Sequence, residues 1–249
     1  MDFSLFLEIS AGADAACARR SVEEADLAGR LAPIDGVTLA LAYTPEHARD
    51  PFLAAEPAPA LVLQLYFGRL RELEAAAGRD GPLGALVETL AAACGGRAVS
   101  WETVVTRRYG VPQPRSSDAV GPWCTYLVRY EGPADDANAW LDHYLAHHPP
   151  LMCQLPGVRE LEICSPLDAV AFLPGHRRRQ LQRNKVAFDS PQALDAALRS
   201  PVREQMRRDF TTFPAYTGAV SHHAMQTWRL VAPANQGFRG VAASDALPS

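Results

Sequence analysis

Along residues 122–232, hydrophobic and polar positions recur with periods that change from segment to segment. Cys124-Thr125-Tyr126-Leu127-Val128-Arg129-Tyr130 is β-branched and aromatic, which predicts a strand. Ala137, Trp140, Leu141, Tyr144, Leu145 and His148 then recur at helical spacing. They predict a helix with Asp135 or Asp136 as N-cap and Pro149-Pro150 as its stop. Val158 to Ile163 alternates as a second strand, and Asn184 to Phe188 reads as a third. Ser190-Pro191 opens a helix through Leu194, Ala197 and Leu198, with the serine as N-cap and the proline at the first helical position. Val220 to Leu230 supplies a last strand.

The order β-α-β-β-α-β is the ferredoxin-like unit, and the chain carries it twice. Ile34-Asp35-Gly36-Val37 resembles Leu155-Pro156-Gly157-Val158, Leu61 to Phe67 resembles Asn184 to Phe188, and Val99-Ser100 resembles Val220-Ser221. The offsets 157 − 36, 188 − 67 and 220 − 99 all equal 121. The expected organisation is a degenerate first repeat over 1–111, a Pro- and Ser-rich linker over 112–121, a second repeat over 122–232 and a tail over 233–249. Such a unit covers one face of its antiparallel sheet with helices and leaves the other to be covered. The predicted fold class is therefore α+β. Two tandem units pair their sheets as a barrel and enclose an apolar chamber between them, and any remaining edges could pair with a second chain in a homodimer.

Composition narrows the function classes. The 249 residues are 48% hydrophobic with a formal net charge of -4, enough for a sizeable core and unsuited to the basic surface that nucleic acid requires. No run approaches the roughly 20 apolar residues of a membrane span. Asp2 stands where a secretory signal would carry basic residues, so a cytoplasmic location is expected. Cys17, Cys94, Cys124, Cys153 and Cys164 are odd in number, widely spaced and free of Cys-x-x-Cys, so they read as reduced, mostly buried thiols. His176-Arg177-Arg178-Arg179 is the one basic run, either a solvated patch or a clamp for an anionic substrate.

The stretch His148-Pro149-Pro150-Leu151-Met152-Cys153-Gln154-Leu155-Pro156-Gly157-Val158 follows an amphipathic helix and resembles the signature of EthD-like proteins. Those belong to the dimeric α+β barrel superfamily, and their pattern is a helix-terminal histidine, a Pro-Leu pair and Leu-Pro-Gly. Phe188-Asp189-Ser190, Ala193-Leu194 and Ala197 to Pro201 resemble the same family's third strand and second helix. The first half matches only through the duplication. It has Leu27 where the second has His148, and Trp101 where the second has His222. Six of the seven histidines lie beyond residue 142, so polar specialisation is confined to one half.

The resemblance implies a cofactor-free enzyme of isomerase, lyase or cyclase type. It would use histidine acid/base catalysis on a small hydrophobic, aromatic or alicyclic intermediate of a catabolic or biosynthetic pathway. His148 is the leading acid/base, since imidazole titrates near neutrality. His222 and His223, adjacent on a strand, point to opposite faces, so one of them joins it. Tyr216, in the aromatic loop from Asp209 to Gly218, is a hydroxyl donor for substrate or enolate. Trp140, Tyr144, His147, Phe213 and Cys153 are expected against the substrate. His143 and His147 share a helical face but lack the Glu of a His-Glu-x-x-His motif, and no metal is expected. Two alternatives follow from other branches of the superfamily: haem held by one axial histidine, and a non-catalytic accessory protein of a degradative operon.

Overall fold

A computed structural model describes residues 2–10, 26–46, 48, 50, 57–116 and 122–232. The end of the expected linker (117–121), the expected tail (233–249) and Cys17 lie outside these residues. The first half contributes β1 (Asp2–Ile9), α1 (Leu27–Leu31), β2 (Val37–Pro45), β3 (Leu61–Phe67), α2 (Leu70–Ala77), α3 (Leu83–Ala93) and β4 (Val99–Tyr109). The second contributes β5 (Trp123–Tyr130), α4 (Ala137–Met152), β6 (Glu160–Pro166), β7 (His176–Arg177), β8 (Gln182–Phe188), α5 (Pro191–Leu198), α6 (Pro201–Phe210) and β9 (Val220–Val231).

Each half is a four-stranded antiparallel sheet in which β1 lies between β3 and β4, and β5 between β8 and β9. The sheets join edge to edge through β2–β9 and β4–β6, closing eight strands into a barrel, with the two-residue β7 added in parallel to β4. The registers repeat: Phe3 faces Phe67 as Cys124 faces Phe188, and Ile9 faces Val99 as Tyr130 faces Val220. Across the seams, Ala42 faces Trp228 as Ile163 faces Arg107. The turn before the second strand of each unit also repeats, with Gly36 at φ 82° and Gly157 at φ 74°, a left-handed backbone for which glycine is the low-cost residue.

Local signals account for most element ends. Asp136 caps α4 by accepting from the backbone N–H groups of Asn138 and Ala139, and Ser190 caps α5 by accepting from that of Ala193. The expected stop at Pro149-Pro150 is corrected, because α4 runs through both prolines to Met152. Proline's fixed φ suits the helix; the two prolines leave the Leu145 and Ala146 carbonyls without their i+4 donors, and Cys153 N–H resumes the ladder at the Pro149 carbonyl at 2.9 Å. The extra turn sets Trp140, Tyr144, His148 and Met152 on one buried stripe. Ser200-Pro201 starts a further helix, α6, so Asp209 and Phe210 lie in a helix and not in the loop expected there.

The barrel lumen departs from the expected apolar chamber, because it is filled, largely with charge. Glu162 of β6 is contacted across the lumen by Tyr66 (2.7 Å) and Gln64 (3.2 Å) of β3, and along its own sheet by Lys185 (3.0 Å). Lys185 also meets Glu160 at 2.8 Å, and Arg108 reaches Glu162 at 3.0 Å and Asp2. Nearer the other end, Glu8 of β1 takes Arg129 of β5 at 3.0 Å and Arg183 of β8 at 3.1 Å, and Arg183 reaches Glu102 at 2.5 Å. Phe6, Leu41, Tyr43, Val62, Trp123, Leu127 and Met225 pack around these pairs. Arg178 of the basic run reaches Glu8 and Glu131, and Arg177 reaches Asp168. That run therefore braces the rim.

Burial alone would raise the Glu8 carboxyl, but Arg183, Arg129 and Arg178 outweigh it and hold the group at about 2. The stabilisation this supplies is complete above the unfolded value of 4.5 and is lost as pH falls from there towards 2. Lys185, the sole lysine, is opposed by Glu160 and Glu162 inside the barrel. Lys185→Met would leave two carboxylates with one counter-charge fewer, and a loss of about 3 kcal/mol is expected in urea unfolding; a loss below 1 kcal/mol would show that the lumen relaxes or hydrates without cost.

Candidate active site

With the lumen filled, open space lies on the opposite face of the second sheet. A cavity of about 500 Å³ sits between β5, β8 and β9 and the helices α4, α5 and α6. Its floor is Tyr126, Val128, Val186, Phe188 and Val220, and its sides include Met152, Leu155, Leu194, Leu198 and Met206. Polar groups enter at few points: His148 from α4, His222 from β9, Asn184 from β8, and Arg203 with its neighbours from α6. An apolar pocket with a few convergent polar groups is the usual form of a small-molecule site.

His148 is buried at the end of the α4 stripe, with Nδ1 2.6 Å from Asp209 Oδ2. A carboxylate only accepts, so Nδ1 carries a proton, and in the neutral imidazole the lone pair is on Nε2. Phe213 packs its ring edge-on against the imidazole at 5.5 Å and Tyr144 lies at 5.1 Å, so the ring is clamped as well as hydrogen-bonded. Asp209 is the candidate-site residue that residue-by-residue reading missed. The signal was present, since Ser200-Pro201 repeats the Ser190-Pro191 helix start, and a helix begun there carries Asp209 back alongside α4.

His222 lies on the pocket face of β9 and His223 on the lumen face. The His222 ring sits 5.6 Å from that of Tyr126. Burial is the main reason its pKa drops to about 4, with the Arg203 guanidinium adding to the effect. His223 also falls to about 4, mainly by burial and then through Arg129, but it is separated from the pocket by the sheet. Asp50, from the first half, holds two of the lining residues: Tyr126 donates to its Oδ2 at 3.1 Å, and Arg203 donates from Nε at 3.1 Å and Nη2 at 2.7 Å.

The remaining sequence candidates divide. Trp140, Tyr144 and Phe213 form an aromatic layer behind the His148 wall, with Trp140 and Tyr144 stacked at 5.1 Å. The Tyr216 hydroxyl donates to the Ala219 carbonyl at 2.7 Å, so it fastens its own loop and is not directed at the cavity. His147 is exposed and donates to the His143 carbonyl, while His143 meets Thr212 at 3.1 Å. Cys153 sits in the turn after α4 with burial raising its thiol pKa. Cys94, Cys124, Cys153 and Cys164 are buried thiols outside any disulfide. Among the described residues, no group of three or more His, Cys, Asp or Glu side chains is arranged to hold a metal ion.

Among the described residues, the first repeat has leucine and tryptophan where this site has its histidines. Leu27 and Trp101, at the positions of His148 and His222, are buried with Leu5, Leu7, Leu63, Leu65 and Leu73 in one apolar cluster.

No protein-family model and no curated protein matches the chain. Solved structures do. An anthrone oxidase-like protein superposes with a TM-score of 0.56 at 14% identity, over 92% of this chain and 93% of its own. A candidate monooxygenase from Fusobacterium nucleatum gives 0.57 at 8% identity, over 95% and 96%. The fold is the dimeric α+β barrel. An ethyl tert-butyl ether degradation (EthD) family protein from Bacillus halodurans overlaps 40% of this chain and 96% of its own at 22% identity, with a TM-score of 0.31, and adds nothing to that assignment. Among the described residues no helix is long and apolar enough to cross a membrane.

Between pH 6.5 and 4 the unfolded chain takes up protons on His222 and His223 that the folded chain refuses, so stability falls as pH is lowered through this window. His222→Asn is expected to remove up to about 3 kcal/mol of that pH-dependent loss, measured as the difference in urea-unfolding free energy between pH 7 and pH 4. An unchanged difference would mean that His222 titrates normally in the folded protein.

Proposed function

We propose that this protein is a cofactor-independent enzyme that removes a proton from a small carbonyl-bearing aromatic or alicyclic substrate held in the pocket of the second repeat. The single observation that carries the reading is the buried His148–Asp209 pair at 2.6 Å in the wall of a largely apolar cavity. Asp209 fixes the tautomer, so His148 Nε2 is the base. It takes a proton from the carbon next to a carbonyl, and the C–H electron pair moves onto the carbonyl oxygen as an enolate. The imidazolium formed is paired with Asp209 in a site of low dielectric. Returning that proton to another carbon gives isomerisation; expelling a leaving group gives elimination; attack on an electrophile within the substrate gives cyclisation. His222, neutral at pH 7, offers a second nitrogen to the same space.

The printed names of the anthrone oxidase-like protein and the Fusobacterium nucleatum protein favour an oxidative variant. There the same enolate is oxidised by dioxygen, a CH2 group becoming C=O as one oxygen atom enters the carbon and the other leaves as water. Both variants need the His148 step.

That step is tested without knowing the natural substrate, by following exchange of the α-protons of 2-tetralone in D2O by NMR. His148→Ala is expected to slow exchange by about 10²–10⁴-fold while the melting temperature stays within a few degrees. Asp209→Asn, which no longer fixes the tautomer, is expected to fall between the two. Exchange by the wild type that His148→Ala does not reduce would remove the base, and a Soret band in the purified protein would replace this reading by a haem one.

A further inference from the structure

The cavity is largely apolar, but the face that α6 turns towards it is cationic. Arg203, Arg207 and Arg208 all line it, and Glu204 is the one carboxylate among the described residues that do. The three arginines differ in their access to water. Arg208 is exposed, and the Arg207 side chain, 48% exposed, meets Glu204 at 3.3 Å in an ion pair that solvent screens. The Arg203 side chain is only 12% exposed, and that of Asp50, which it meets, 2%. The run His176 to Arg179, the alternative clamp for an anion, braces the rim and contributes no residue to the cavity lining.

Asp50 fixes the Arg203 guanidinium. Nε and Nη2 both donate to its Oδ2, at 3.1 and 2.7 Å, and the same oxygen accepts from the Tyr126 hydroxyl at 3.1 Å. An oxygen that takes two donors of one planar fork holds that fork in a single orientation. Withdrawn from water, the cation acts on the cavity more strongly than its two exposed neighbours. His222, which lines the same cavity, registers this. After burial, the largest influence, the Arg203 guanidinium lowers the imidazole pKa by more than Asp50 raises it. Along α6, Arg203 lies six residues before Asp209, the partner of His148, which sets their backbones about 9 Å apart along the axis, roughly the length of a two-ring system.

We infer that Arg203 is the anion-binding residue of the pocket and that the substrate is a ring-bearing keto acid, its carboxylate on Arg203 and the carbon next to its carbonyl at His148. A guanidinium presents a fork that matches carboxylate geometry. One such group, partly offset by Asp50, suits the single charge of a carboxylate rather than the near-double charge of a phosphate. The assignment rests on the reading of the pocket as a proton-abstraction site. It adds the second fixed point that orients a ligand on an otherwise apolar floor.

The test uses 2-naphthoate and 2-naphthamide, which share the same rings and differ in charge, titrated by calorimetry into the full-length protein at pH 7. The naphthoate is expected to bind about 10–100-fold more tightly, the effect of hydrogen bonds to a charged group. Arg203→Gln is expected to bring the two affinities within about threefold of each other by weakening the naphthoate, while naphthamide affinity stays within about twofold. Arg203→Gln combined with Asp50→Asn removes both charges together and leaves no buried carboxylate without its cation. It is expected to lose the preference equally, and it carries the test where the single variant does not fold. Binding of neither ligand, equal affinities in the wild type, a preference for the amide, or a preference unchanged in these variants would overturn the assignment. His148-dependent tetralone exchange without a naphthoate preference removes the keto acid and leaves the base. An Arg203-controlled preference in a protein without such exchange removes the base and leaves the anion site.

Discussion

Edge-to-edge pairing of the two sheets is the constraint on which the rest depends. Once β2 meets β9 and β4 meets β6, the inner faces of both sheets are enclosed, and every side chain aimed inwards must be neutralised without water. Glu8, Glu102, Glu160 and Glu162 face Arg108, Arg129, Arg183 and Lys185 across or along the lumen. Charges buried in this way stabilise little in net terms, but they penalise any other pairing heavily, because a slipped register would strand a carboxylate without its cation. The lumen therefore serves registration, and the cavity lies on an outer face, where helices meet sheet.

On those outer faces the two copies diverge. In the first, Leu27, Trp101, Leu63 and Leu73 share one apolar cluster among the described residues. In the second, His148, His222, Asn184 and Leu194 stand at the matching positions, and a cavity remains. Substituting polar groups for leucine and tryptophan in an interior is costly unless each finds a partner. Asp209 for His148, and Gln182 with Tyr144 for Asn184, are such partners. Asp50, which accepts from both Tyr126 and Arg203, extends the same rule across the boundary between halves.

Much of this was legible in the chain of residues. The offset of 121 reappears in every strand register, and the helical stripe through Trp140 and Tyr144 brought His148 to the sheet. A period of two reveals which residues share a face but not which face is hollow. Strand segments with Glu8, Glu102, Glu162, Arg183 and Lys185 could not declare that their charges meet across a barrel, because those partners lie on different strands and in different halves. The same limit hid which of His222 and His223 would enter the pocket. Asp209 escaped for a more local reason: the aromatic residues after it drew the whole segment into a loop, although the serine-proline pair at 200–201 marks a helix start.

The equivalence of the two seams carries a consequence for ancestry. Two separate chains obeying these registers would form a symmetric dimer, and symmetry would oblige both subunits to keep whatever cavity either possessed. Joining them into one polypeptide lifts that obligation. One copy can then pack leucine and tryptophan where the other keeps histidines, and lend Asp50 to its sibling.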